Sequence, residues 1–207
     1  MTPPKVGVAV ALGALCGWAW ASAFRAYMSE LAGAASQIDW FGTFGAIVVP
    51  GAIVGGLLGW AHAIRLRGGR RGWRWLAIAP LLFAIAPMLM PEALVALFTQ
   101  GLGGGAIAVA LLAIGGGFAI SGRGPVWARI ICGVVSAVLL AGISVTAFFL
   151  GRGTVPGAEA RGWWTALLAA SLLTILVLAS SIPFRPVPAT AGSPDQVSRM
   201  SGAPSSR

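Results

Sequence analysis

Residues 50–75 read PGAIVGGLLGWAHAIRLRGGRRGWRW, an apolar run that ends in a dense cluster of arginine. Gly51, Gly55 and Gly59 recur every four residues in it, so on a helix they form a narrow strip on which a neighbouring backbone can lie closely. The strip reads as a helix-packing seam of the glycine-zipper kind. Directly after it Arg65, Arg67, Arg70, Arg71 and Arg74 concentrate five positive charges between two apolar segments. Basic connections of this kind are held on the cytoplasmic face of a membrane, so this one orients the rest of the chain.

Composition agrees with a bilayer as the solvent. Of 207 residues, 57% are apolar and only 9% charged, and the mean hydropathy is +0.87, which leaves too little polar surface to coat a water-facing globule. The net charge of +9 invites comparison with nucleic-acid binders. The arginines, however, stand at the ends of apolar runs rather than along one face, which suits anionic lipid headgroups on the cytoplasmic side and excludes nucleic acid as the expected partner. Lys5 is the sole lysine among the 14 basic residues, and Ala and Gly abound, a bias that points to a GC-rich bacterial genome and hence to a bacterial plasma membrane.

Charged residues divide the chain into six uncharged stretches of about 17 to 30 residues, near the roughly 20 that cross a bilayer as a helix. The expected fold is therefore all-α, a polytopic bundle of six transmembrane helices at about 6–24, 40–64, 73–90, 102–121, 127–150 and 163–182. Together these form one domain, 1–182. An even number of spans with 65–74 inside places both termini in the cytoplasm. Residues 183–207 are rich in Pro, Ser and Ala without a periodic apolar face, and are expected to be a disordered cytoplasmic tail. The first stretch also fits a signal peptide, with Lys5 leading, an apolar core and Ala21-Ser22-Ala23 as a cleavage site. Against this, Ala9, Gly13, Gly17 and Ala21 repeat every four residues, as a retained packing helix would need.

Local signals sharpen the elements. Ser36 and Asp39 suit the start of the second helix, and Pro91-Glu92 suits another first turn. Pro50, Pro80 and Pro87 each remove a backbone donor, so the second and third spans should be irregular. All nine tryptophans fall near expected span ends and read as an interfacial belt.

Chemistry is sparse. None of the six stretches carries Asp, Glu, Lys or Arg near its middle, where proton relays and coupling-ion sites keep them. Cys16 and Cys132 lie in apolar runs and read as small hydrophobes. No metal site or cofactor motif is expected. His62 has no neighbouring ligand type on its helix and reads at most as a pH-responsive contact. Arg25, Glu30 and Asp39 share the first outer connection with Tyr27, on the stretch SAFRAYMSELAG. They can cap helix ends or line an outer mouth for a polar headgroup or partner loop. With His62 they are the candidate binding residues.

The expected function follows from what is plentiful and what is missing. It is a non-enzymatic membrane component that acts by helix packing against a partner membrane protein or a second copy. The alternative is a small uncoupled permease, channel or lipid-handling protein, and an intramembrane enzyme using Glu30 and Asp39 comes third.

Overall fold

The computed structural model describes residues 5–33, 36, 38–89, 104–149 and 158–188. The expected end of the third span, the Pro91-Glu92 turn, the start of the fourth span, the outer connection around Arg152 and the tail from 189 onward lie outside these residues. Among the described residues every element is helical: α1 (Val6–Ala32), α2 (Val49–Leu66), α3 (Leu82–Met88), α4 (Gly104–Ile120), α5 (Val126–Phe149) and α6 (Ala158–Ser180). Four helical segments, Val6–Ala32, Trp40–Leu66, Val126–Thr146 and Glu159–Phe184, are long and apolar enough to cross a membrane. The segments Trp73–Ala86 and Gly105–Ile120 are shorter.

α1 runs eight residues past its expected end at 24. A change from apolar to charged sequence does not end a helix, and no Gly or Pro intervenes before Gly33. Gly33 takes φ +55° and its N–H donates to the Ser29 carbonyl, which closes the last turn. One consequence is that Trp18 and Trp20 stand mid-helix rather than at an end.

The second segment begins with Asp39, whose carboxylate accepts the Gly42 N–H. Residues Trp40–Val48 are wound as a π-helix, and the Val49 N–H reaches back to the Phe44 carbonyl, five residues earlier. Pro50 then follows in the first turn of α2, directly after the π-helix, where it supplies no backbone donor. The third segment is a 3₁₀ helix over Trp73–Leu81 with Pro80 inside, continued by α3. Between them the arginine hairpin turns on Gly68, Gly69 and Gly72, with φ of +93°, +80° and +80°. Only glycine takes these values without strain.

Packing divides the molecule into an antiparallel α1/α2 pair and a triplet of α4, α5 and α6, joined through α3 and the α1–α6 contact. The core lies between the two groups, where Trp20, Tyr27, Val54, Leu58 and Phe83 meet Val109, Leu112, Leu172 and Leu173. Outward-facing side chains are apolar as well. Leu12, Leu15 and Trp18 on α1, Val134, Val135 and Val138 on α5, and Leu167 and Ile175 on α6 are all exposed. A surface of this composition suits hydrocarbon better than water and is compatible with a membrane protein, as the hydropathy implies.

Candidate functional site

The small-residue strips of α1 and α2 face each other. A Cβ built on Gly17 would lie 2.9 Å from the Gly55 Cα, and one on Gly55 would lie 2.8 Å from the Gly17 Cα. Carbon atoms in van der Waals contact stay about 3.5–4.0 Å apart, so neither position has room for a side chain. Gly51 meets Ala21, and Gly59 meets the Ala9 carbonyl in the same way. Gly56, one residue along, has its nearest neighbour, the Ala14 Cβ, at 3.6 Å. The Gly51, Gly55 and Gly59 strip is thus covered by this chain's own first helix.

The polar residues expected at an outer mouth are engaged in contacts at helix ends. Arg25 lies within α1 and donates to the hydroxyls of Ser29, Ser36 and Thr43, which ties the α1 extension to the start of the second segment. Glu30 pairs with Arg161 of α6 at 2.9 Å, with the two side chains 38% and 71% exposed. Asp39 is occupied as a helix cap. Each group links or ends a helix, and Arg161 is the member of this set that the sequence did not single out. Tyr27 adds a further link, its buried ring donating from the hydroxyl to the Ile143 carbonyl of α5 at 3.2 Å.

His62 stands at the other end of the bundle, on the wall of a cavity of about 460 Å³ between α1, α2 and α6. The remaining wall is almost wholly apolar, with Leu12, Cys16, Trp20, Phe83, Ile175 and Leu176. Trp20 is buried and donates its indole N–H to the Leu172 carbonyl at 2.8 Å. Trp73 is buried too, so the interfacial belt loses both residues and also Trp18, which is exposed at mid-helix. Trp40, Trp60, Trp75, Trp127, Trp163 and Trp164 are exposed near helix ends. Nothing in the sequence separated Trp20 from these, because an indole suits a wet interface and a hydrogen-bonded core equally well.

Most hydroxyls of the last two helices bond their own backbone, whereas those of Ser144 and Ser180 are buried without a partner. Thr146, Thr165, Ser171, Thr174 and Ser181 each donate to a carbonyl three or four residues earlier. Ser136 reaches the Leu112 carbonyl of α4 at 3.4 Å. Such bonds to a helix's own carbonyls are the usual state of Ser and Thr within an apolar helix. Among the described residues no cluster of His, Cys, Asp and Glu could hold a metal ion, and both cysteines are unpaired.

Charge is sorted along the bundle axis. Lys5, the hairpin arginines, Arg123, Arg129 and Arg185 gather at one end, through the Ala9–Gly59, Phe118–Phe184 and Arg65–Pro186 contacts. All three described carboxylates, Glu30, Asp39 and Glu159, belong to the opposite end together with Arg25 and Arg161. No family model matches the chain, and neither a curated protein nor a solved structure shows significant similarity to it.

Proposed function

We propose that the chain is a non-enzymatic component of a bacterial plasma membrane that acts by packing against a partner membrane protein or a second copy. The observation that carries this is α5. Its 24 residues carry no charge beyond Arg129 in the first turn, yet only 6% of its most apolar window is buried, and Ala137 and Ala141 lie exposed on it. Small residues let a second helix approach closely where lipid offers no hydrophobic drive for association. The seam at Gly51, Gly55 and Gly59 is already filled by α1, so a partner would dock on α5 and not on that strip.

In this proposal all six helical segments cross. Winding as 3₁₀ lengthens the third. Nine residues at about 2.0 Å each and seven at about 1.5 Å extend roughly 28 Å, and the 17 residues of α4 extend roughly 26 Å, both close to the hydrocarbon thickness. The basic end then faces the cytoplasm with both termini, as the arginine excess favours.

Cysteine crosslinking in native membranes tests the reading. In a background lacking Cys16 and Cys132, a cysteine at Val138 should capture a protein neighbour, and Ala137→Leu with Ala141→Leu should abolish the capture. Labelling of Val138 by lipid reagents alone would overturn it. The 460 Å³ cavity supports the alternative of a lipid-handling protein over that of a permease for polar solutes, since its wall is apolar.

A further inference from the structure

The arginine hairpin is more than a collection of interfacial charges, because the chain that follows α6 closes over it. Residues Ile182–Phe184 form a 3₁₀ turn directly after α6, and the Arg65 guanidinium donates to the Pro186 carbonyl at 2.9 Å. A Cβ on Gly69 would lie 3.1 Å from the Val187 Cγ2 and 3.5 Å from the Trp73 indole nitrogen, so hairpin and C-terminal segment are in close contact. Folded structure therefore continues past the expected domain boundary at 182. Between the two segments opens a cleft of about 780 Å³.

Its lining is amphipathic. Arg70, Arg71 and Arg74 contribute guanidinium groups, and Trp75, 74% exposed, contributes an indole. Ile78, Ile114, Phe184 and Val187 supply apolar wall. None of the three arginines has an ion-pair partner among the described residues. Three guanidinium groups beside an indole and an aliphatic wall, at the end of a bundle whose flanks are apolar, match the chemistry of a lipid with an anionic phosphate headgroup. The phosphate oxygens accept from the guanidiniums, and an acyl chain follows the aliphatic wall toward the bilayer interior.

We infer that the cleft between hairpin 68–75 and segment 184–187 is a discrete binding site for one anionic phospholipid, with Arg70, Arg71 and Arg74 as the headgroup contacts. This rests on the reading that the bundle spans a bilayer. It differs from diffuse attraction of a basic surface to a charged leaflet, because it names one cleft and one lipid.

The test uses the full chain purified in a non-ionic detergent, titrated with dioleoyl phosphatidylglycerol or dioleoyl phosphatidylcholine and examined by native mass spectrometry. One phosphatidylglycerol should be retained in preference to phosphatidylcholine. Arg70→Gln with Arg74→Gln should lower that affinity about tenfold or more, whereas Lys5→Gln with Arg123→Gln, which removes the same charge from the same end, should leave it nearly unchanged. As a second measurement, phosphatidylglycerol with a photoreactive acyl chain should crosslink at Ile78, Ile114 or Val187 in the unaltered protein. Equal loss in the two double variants, no preference between the lipids, crosslinks elsewhere, displacement by inorganic phosphate, or preferential capture of a single-stranded oligonucleotide would each overturn the proposal. Alkaline extraction of membranes carrying the full chain separates the two readings. A chain released as soluble protein refutes the bilayer reading, whereas a chain that stays in the membrane without lipid preference refutes this site alone.

Discussion

Gly55 and Gly56 are neighbours in sequence, and substitution should distinguish them sharply. A leucine at Gly55 would drive into the backbone of α1 at Gly17 and Gly13, whereas one at Gly56 points toward an apolar groove of about 530 Å³ beside Val10 and Ala14. Gly55→Leu is therefore expected to cost about 1–3 kcal/mol or more, and Gly56→Leu much less. Thermal unfolding in detergent measures both, and equal midpoints would mean that the α1/α2 contact is not as close as the geometry requires. Trp20 and Trp18 form a second pair. Trp20→Phe removes the donor to the Leu172 carbonyl and part of the core, an expected loss of about 0.5–1.5 kcal/mol for the bond alone. Trp18→Phe alters an exposed ring and should change stability little. A similar loss in both variants would place Trp20 outside the core. Both glycine strips were legible in the sequence because a four-residue repeat is a local property. That each strip covers the other was not, since nothing local names a strip's partner. Trp20 was misread for the related reason that its partner lies 152 residues away.

At the level of elements, the departures from regular α-helix follow proline and glycine. The π-helix ends at Val48, two residues before Pro50, and the 3₁₀ helix contains Pro80, so these two missing N–H groups lie at or beside a change of winding, whereas Pro87 lies within α3. Sequence reasoning located these irregularities and could not say which winding each would take, because the choice depends on how the segment packs against its neighbours. Glycine has opposite meanings in two elements. Gly72 turns the arginine hairpin at φ +80°, and its nearest prospective neighbour, the Trp75 ring, is 4.0 Å away, so Gly72→Ala isolates backbone strain and should cost about 1 kcal/mol. Gly142 is helical, exposed and has nothing within 4 Å of a prospective Cβ. Gly142→Ala should therefore raise the unfolding midpoint of the isolated chain by the equivalent of about 0.5–1 kcal/mol. Destabilisation there in the isolated chain would show that the position is crowded and that α5 is not the open face described above.

For the whole molecule the decisive quantity is the cost of charge. A charge at mid-bilayer costs at least about 2.5–3.5 kcal/mol on insertion scales, and proteins keep one there mainly for function. The middles of the described helices hold none, and the charged groups are sorted to the two ends. Any solute movement supported by the protein in reconstituted vesicles is accordingly expected to be insensitive to collapse of an imposed proton gradient. Glu30→Gln, which breaks an exposed ion pair, should change stability by less than about 1 kcal/mol. Gradient-driven uphill accumulation that is lost in Glu30→Gln, Asp39→Asn or His62→Gln would overturn the non-enzymatic packing proposal. Helicity, apolarity and the polarity of charge were determined by the sequence itself, because each is a sum over neighbouring residues and needs no knowledge of the fold. Only the tertiary structure decided that α1 fills the Gly51, Gly55 and Gly59 strip, that Arg25 and Asp39 both act at the start of the second segment while Glu30 pairs with Arg161, and that the C-terminal segment closes over the arginine hairpin. Those outcomes depend on pairings such as Arg65 with Pro186, 121 residues apart, and close packing rather than local pattern selects among the partners that the composition allows.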